Sequence, residues 1–247
     1  MRKAIRIGTV VLVVAFIIPQ HVYGMHIAEG FLAPQWCLMW VALTLPFLGW
    51  GLYNIKKQTA HNHKIKILLG VAGAFTFLLS ALKLPSVTGS CSHMTGTGLG
   101  AILFGPAIMS VLGLVVLLFQ TLMLAHGGLT TLGANTFSMG IAGPFLCWGL
   151  YVFLTWLKVN RSVTVFVATF AGSLFTYCVT AFQLALAFPG ANGSIAGSFI
   201  KFVSVFGVTQ LPLSIIEGLI SVMVFSFIQL HNPDELLALN VYRREHQ

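Results

Sequence analysis

The stretch LGAILFGPAIMSVLGLVVLLFQTLMLA, residues 99–125, contains no charged side chain and decides how the chain is arranged. As one continuous helix it would be about 40 Å long, whereas the hydrocarbon core of a bilayer is about 30 Å thick. It is therefore too long for one plain transmembrane helix and too short for two. Gly105-Pro106 interrupts the stretch, because proline cannot continue a helix. We predict a broken element that descends over 99–105, turns, and returns over 107–125.

The whole chain has the composition of an integral membrane protein. Hydrophobic residues make up 57% of its 247 residues, charged residues only 7%, and the mean hydropathy is +0.92. Such a chain cannot cover itself with a polar surface, so its surroundings are lipid. The basic residues are scattered among short loops instead of forming one basic region, which argues against a nucleic-acid partner.

Five further apolar spans complete the predicted fold, at 36–53, 67–84, 137–157, 162–188 and 202–229. The positive-inside rule places the basic loop 56–66 in the cytoplasm, and the broken element keeps Lys158 and Arg161 on that side too. We predict an all-α integral membrane protein with six long transmembrane helices, or seven counting the short broken element. Residues 25–230 would form the membrane domain, and 231–247 a cytoplasmic tail.

The first 24 residues have the pattern of a cleaved signal peptide. A basic segment precedes an apolar run over 8–18, and Val22-x-Gly24 offers small residues at a cleavage site. The alternative, a retained N-terminal anchor, is disfavoured by Pro19. Cleavage after Gly24 would leave Met25 as the amino terminus on the outer face.

A chain that begins Met25-His26 presents three nitrogen atoms in order. They are the α-amine of Met25, the amide of His26 if it is deprotonated, and an imidazole nitrogen of His26. These close adjacent chelate rings around one divalent cation, and such nitrogen sets favour Ni(II), Cu(II) or Co(II) over Mg(II) or Ca(II). Cleavage would create this site, because the α-amine is an ordinary amide in the uncut chain.

Five segments of the sequence resemble the CbiM family. They are MHIAEGFL from Met25, TGSCSHMTGTGLGAILFGP from Thr88, LMLAHGGLTTLGAN from Leu122, GSIAGSFIKF from Gly193 and TQLPLSIIEGL from Thr209. CbiM proteins are the substrate-binding (S) components of energy-coupling-factor cobalt transporters and are close to the nickel components. One departure is Met94, where many relatives are expected to have proline.

The resemblance implies a metal site and a set of partners. Met25 and His26 would supply three nitrogens and His93 the fourth, with Co(II) as the transported substrate and Ni(II) as the alternative. The implied partners are a membrane coupling (T) subunit, a pair of cytoplasmic ATPases and a small accessory membrane subunit. The chain would act in the bacterial cytoplasmic membrane without hydrolysing ATP itself, and it has no G-x-x-x-x-G-K-[ST] motif.

Other residues are assigned supporting roles. The candidates for orienting the metal-binding imidazoles are Glu29, Ser90, Ser92 and Thr95. Small residues four apart permit close helix approach, so Ala181 and Ala185 are candidate contacts for the coupling subunit, although such spacing is also common in packing within a chain.

The remaining ionisable side chains have less specific interpretations. His126 is either an entry ligand for the metal or, as we expect, a residue that makes a structural hydrogen bond. The histidines of 61–63 belong to a solvated basic loop. Glu217, within a predicted span, is expected to be hydrogen bonded in the packing. Cys37 and Cys91 both lie near the outer face, and the sequence leaves open whether they pair.

Two other classes of function fit the sequence less well. A membrane metalloenzyme would need an open metal position and a general base, for which Glu29 or Glu217 would have to serve, and the chain has no HExxH motif. A passive channel would need polar residues repeated through the spans. The pattern favours capture of a metal at one face, followed by a movement that partner proteins drive.

Overall fold

The computed structural model describes residues 23–24, 26–61, 64–85, 90–190, 193–233, 236 and 239. The body of the predicted signal peptide, Met25 and most of the predicted tail lie outside the described residues. The elements are β1 (Tyr23–Gly24), α1 (Pro34–His61), α2 (Lys64–Ala81), β2 (Lys83–Pro85), β3 (Ser90–His93), α3 (Thr97–Phe104), α4 (Pro106–Leu124), α5 (Leu132–Asn135), a π-helical segment (Thr136–Ala142), α6 (Gly143–Trp156), α7 (Arg161–Ala187) and α8 (Ile195–His231).

Six helical spans are long and apolar enough to cross a membrane. Five of them correspond to α1, α2, α4, α7 and α8, with a small difference at the end of α1. The sixth is the continuous span Leu132–Trp156, which contains α5, the π-helical segment and α6. Their outer surfaces carry large apolar side chains such as Leu52, Met223 and Leu230, which is what a lipid-facing surface requires. The prediction of an all-α membrane protein with six long helices is confirmed.

The broken element is also confirmed. α3 ends at Phe104, and α4 begins at Pro106 after Gly105, whose φ of 91° lies in a region that only glycine adopts readily. All eight residues of α3 are buried, and the helix packs against α4, α6 and α7. A helix end at membrane depth is tolerated here because protein, and not lipid, surrounds it.

Of four apolar clusters among the described residues, the two largest hold most of the bundle together. One surrounds α3 and contains Ile102, Ile108 and Tyr151. The other joins the start of α1 to α7 and α8, and it contains Ala181. Ala181 and Ala185 are both 0% exposed, which agrees with the alternative of packing within the chain, and their contact with a coupling subunit stays a prediction.

Three short strands, which the sequence analysis did not predict, form a small sheet in the order β1-β3-β2. β2 pairs antiparallel with β3, and Lys83 lies opposite His93. β1 runs parallel to β3, and Gly24 is in register with Cys91. The sheet therefore places the residue before the predicted cleavage point beside the strand that ends in His93.

Candidate metal centre

Three histidines from distant parts of the sequence meet in one cluster. His93 is the last residue of β3, His126 follows the end of α4, and His26 precedes the start of α1. The ring centroids of His26 and His93 are 4.7 Å apart, those of His26 and His126 are 4.8 Å apart, and those of His93 and His126 are 5.2 Å apart. One ring nitrogen from each residue lies within 4.8 Å of the other two. All three side chains are buried. The arrangement is a closed cluster of imidazole nitrogens.

Hydrogen bonds to the neighbouring main chain hold His26 in the cluster. The amide of Ile27 donates to Asn135 Oδ1 (2.8 Å), and the carbonyl of Ile27 accepts from Asn135 Nδ2 (3.1 Å). The same carbonyl accepts from Thr131 Oγ1 (2.6 Å). The side chains of α5 and its preceding turn thus fasten the residue next to His26.

The ring of His26 has one nitrogen committed to the protein. Its Nε2 lies 2.9 Å from Oε1 of Gln120, a fully buried residue of α4. An amide oxygen only accepts hydrogen bonds, so Nε2 carries the proton. The other nitrogen, Nδ1, is then left with a lone pair for a metal.

His93 is held by its own main chain and by α7. Its Nδ1 donates to the carbonyl of Met94 (2.7 Å), and its carbonyl accepts from the hydroxyl of Tyr177. Its Nε2 is buried with no hydrogen-bond partner among the described residues. A buried ring nitrogen with a free lone pair is what a metal ligand offers before the ion arrives.

The loop after His93 is anchored to three helices. Glu217 of α8 accepts hydrogen bonds from the amide and hydroxyl of Thr95, the amide of Gly96 and the hydroxyl of Ser173 in α7, at 2.6–2.8 Å. Thr76 of α2 donates to the carbonyl of Gly96 (3.0 Å). The expected packing role of Glu217 is thus observed: its carboxylate fixes the loop that presents His93.

Two of the predicted orienting residues, Ser92 and Thr95, bond to side chains of α8 and not to the imidazole rings. Thr95 binds Glu217, and the hydroxyl of Ser92 lies 2.7 Å from that of Thr209 in α8. The side chain of Ser90 lies outside the described part of the chain. The tautomer of His93 is instead determined by the carbonyl of Met94, at the position where the sequence departs from the expected proline.

Glu29 is an exposed tie between two loops, and in the described contacts it does not bind His26. Its Oε2 accepts from the amide of Thr130 (3.1 Å), and hydrogen bonding to Thr130 holds the pKa of Glu29 below its ordinary value. Cys37 is a free thiol that lies 3.6 Å from the carbonyl of Leu32.

His126 is the residue that the sequence analysis assigned to a structural hydrogen bond and that the structure brings into the cluster. α4 ends at a left-handed Ala125 (φ 48°), Gly127 follows with φ 83°, and the amide of His126 donates to the carbonyl of Gln120 (3.2 Å). The two left-handed residues turn the chain sharply around His126. The segment Ala-His-Gly-Gly directly after a helix was the available signal, because glycine supports such turns.

Burial keeps all three imidazoles neutral near neutral pH. Desolvation lowers the pKa of His93 to about 4 and that of His126 to about 2. It also lowers the pKa of His26 well below its ordinary value, and repulsion from His93 adds to this effect. Neutral imidazole is the form that binds metals such as cobalt, nickel, copper and zinc.

The fold and the cluster define a polytopic membrane protein with buried imidazole nitrogens able to hold a transition metal at one end of its helix bundle. Residues 26–235 match the CbiM family, described as "Cobalt uptake substrate-specific transmembrane region". The chain belongs to the CbiM family, and its role is therefore that of a transporter component in cobalt uptake.

Relatives and solved structures agree with this membership. The chain is 57% identical over 232 residues to the cobalt transport protein CbiM of Desulforamulus reducens, covering 94% of this chain and 88% of the relative. It is 56% identical over 215 residues to the protein of the same name from Lachnoclostridium phytofermentans, covering 87% and 86%. A crystal structure of a transition metal transporter superposes with a TM-score of 0.76 at 27% identity, covering 88% of this chain and 98% of that one.

Proposed function

We propose that this chain is the metal-capturing S component of an ATP-driven cobalt uptake transporter, and that it binds Co(II) at the outer face of the bacterial cytoplasmic membrane. The ligands are the α-amine of Met25, the amide and Nδ1 of His26, and Nε2 of His93. Removal of residues 1–24 creates the amine. The observation that carries the proposal is the burial of His26, directly after Met25, against His93 with one ring nitrogen of each left for a metal.

The positions on both sides of Met25 support the terminal-amine site. Gly24 pairs with Cys91 in β3, and the ring of His26 contacts that of His93. A terminus created between these two positions would begin beside the strand that carries His93. The ligand set would then come from one contiguous dipeptide and one loop.

The spacing of the three rings is close to that of a metal site. In the proposed set, Nδ1 of His26 and Nε2 of His93 are neighbouring donors, because the amide nitrogen lies between the other two donors of the chelate. With metal–nitrogen bonds of about 2.0–2.1 Å, such neighbours are about 2.9 Å apart in a planar arrangement. One ring nitrogen each of His26, His93 and His126 lies within 4.8 Å of the other two. The rings of His26 and His93 would therefore approach each other by up to about 2 Å on binding. His126 lies beside this pair and is not part of the proposed ligand set.

The expected partners follow from the absence of an ATP-binding motif in the sequence. The buried cluster can capture an ion, but the sequence has no phosphate-binding motif for ATP. We assign energy supply to a pair of cytoplasmic ATPases, and its transmission to a membrane coupling (T) subunit with a small accessory membrane subunit. The basic loop 56–66 and the tail 231–247 would face the cytoplasm.

The test measures the amino terminus and the bound metal of the same purified protein. The mature chain should begin at Met25 and retain about one Co(II), whereas a chain that keeps residues 1–24 should bind at least about 100-fold more weakly, because the nitrogen of Met25 is then an ordinary amide and the chelate rings no longer start at an amine. Met25→Leu is the matched control, since it keeps the amine and should bind as the wild type does. Equal binding by the chain that keeps residues 1–24 would refute the proposal.

Nickel is the alternative substrate because the same nitrogen donors accept both ions. The general affinity order places nickel above cobalt, so donor chemistry alone does not favour cobalt. The family membership favours cobalt. Competition between Co(II) and Ni(II) for the mature chain, followed by uptake of each ion in cells with the complete transporter, assigns the substrate.

A further inference from the structure

A chain of buried hydrogen bonds leads away from the candidate metal centre on the side of His26. The hydroxyl of Ser80 in α2 donates to the carbonyl of Thr76 (2.6 Å). The side-chain nitrogen of Gln120 donates to the oxygen of Ser80, and Oε1 of Gln120 faces Nε2 of His26. Thr76, Ser80 and Gln120 are each 0% exposed, and His26 is 2% exposed. Water therefore has little opportunity to replace a member of this chain.

In this series of hydrogen bonds, the choice of donor and acceptor in one bond determines the donor and acceptor in the next. A helix carbonyl can only accept, so the proton of Ser80 points at Thr76 and its oxygen is left to accept. Only the NH₂ group of Gln120 can supply that bond, which turns its carbonyl oxygen toward His26. The ring of His26 must then donate from Nε2.

We infer that Gln120 and Ser80 are positioning residues that hold His26 in the tautomer with a proton on Nε2 and a lone pair on Nδ1. This inference rests on the proposed function. A terminal Met-His chelate needs this tautomer, because Nδ1 closes a six-membered ring with the amide nitrogen and the metal. Nε2 lies on the far side of the imidazole and cannot close that ring. The relay thus selects the ligand atom before the ion arrives.

The hydrogen bond between Nε2 of His26 and Gln120 becomes stronger when the ion binds. A cation on Nδ1 withdraws electrons from the ring and makes Nε2–H a better donor, so the hydrogen bond to Gln120 becomes charge-assisted. His93 reaches its tautomer differently, through a main-chain carbonyl that no substitution removes. The tautomer of His26 depends on side chains and is therefore the one that mutation can change.

The test separates tautomer from metal binding. Nitrogen NMR of the metal-free mature chain, with labelled histidine rings and His26→Gln for assignment, should show Nε2 protonated and Nδ1 bare. Gln120→Met has a similar shape but offers no acceptor, so the proton should distribute between both nitrogens and Co(II) affinity should fall about 10- to 100-fold. Gln120→Glu keeps the acceptor and should keep the wild-type tautomer and binding.

Gln183→Met is the matched control, because Gln183 is equally buried but bonds to the carbonyl of Ala134 and to no histidine. Gln183→Met should leave both the tautomer of His26 and the Co(II) affinity unchanged. Protonation of His26 at Nδ1 in the wild type would overturn the inference, as would a Gln120→Met chain with the wild-type tautomer and affinity. If Gln120→Met does not fold, the wild-type spectrum alone decides. Failure of the proposed function would look different: the expected tautomer without Co(II) binding.

Discussion

Replacement of Asn135 by leucine should weaken metal binding by releasing the segment that carries His26. Leucine has the same branched arrangement of four side-chain heavy atoms as asparagine, although it is larger, and it has no polar atoms. It therefore removes the partner of the Ile27 amide. Ile27 is 3% exposed, so water does not restore that bond. The carbonyl of Ile27 keeps its bond from Thr131, so one donor is left unsatisfied.

An unsatisfied buried donor costs about 1–3 kcal/mol. The chain can avoid this cost by undocking the segment, which then leaves only a fraction of molecules ready to bind. Apparent affinity falls in proportion to that fraction, so the expected loss is up to about 5- to 150-fold. The change acts on the docking equilibrium and not on any ligand atom.

The assay is competition of the purified mature chain with a chelator for Co(II), after its amino terminus has been verified. Thr44→Val is the matched control, because Thr44 also donates to α5, at the carbonyl of Gly133 (3.1 Å), but does not contact Ile27. An Asn135→Leu chain with affinity within about twofold of the wild type would refute the docking argument, since 1.4 kcal/mol corresponds to tenfold.

Three further outcomes are expected. Metal affinity should fall at least tenfold per pH unit from pH 8 to pH 5. Protons compete with the metal for the α-amine, whose ordinary pKa is about 8, while the pKa of His93 is held at about 4. A calorimetric titration in which the loss of affinity is confined to pH 6–7 would contradict this prediction. Glu217→Gln should lower the free energy of unfolding by about 1–3 kcal/mol, measured by chemical denaturation, because an amide nitrogen would face hydrogen-bond donors. Gly128→Ala should weaken metal binding, because its Cβ would lie 2.5 Å from the Cα of Glu29, whereas Gly149→Ala, with nothing within 4 Å, should not.

The sequence was sufficient for the parts of the fold that lipid dictates. Span length and the Gly105-Pro106 break reflect physical limits on helices in a bilayer, and both predictions agree with the structure. The orientation inferred from flanking charge stays a prediction. Strands β1, β2 and β3 were missed because they are two to four residues long and depend on pairing between distant segments. Such pairs leave no periodic pattern to find.

The candidate site could be predicted where sequence motifs mark the ligands. It could not be predicted where residues from separate segments come together only in the folded protein. His26 and His93 were selected from the Met-His start and the family resemblance. His126, Gln120 and Asn135 were not, because an isolated polar residue in or after an apolar helix looks the same whether it binds a neighbour or supports a site. Only the packing of α4 and α5 against the N-terminal segment distinguishes them.

The two sides of the histidine cluster are fastened in different ways. His93 ends β3, the central strand of the sheet, and Glu217 accepts three hydrogen bonds from the loop that follows and a fourth from Ser173 in α7. His26 lies in a segment between β1 and α1 that has no strand pairing and is held by hydrogen bonds to the side chains of Gln120, Thr131 and Asn135. Under the proposed function, an ion held between the two sides would leave when the segment before α1 undocks. Substitutions in that segment would then change the exit rate of the metal without disturbing the helices.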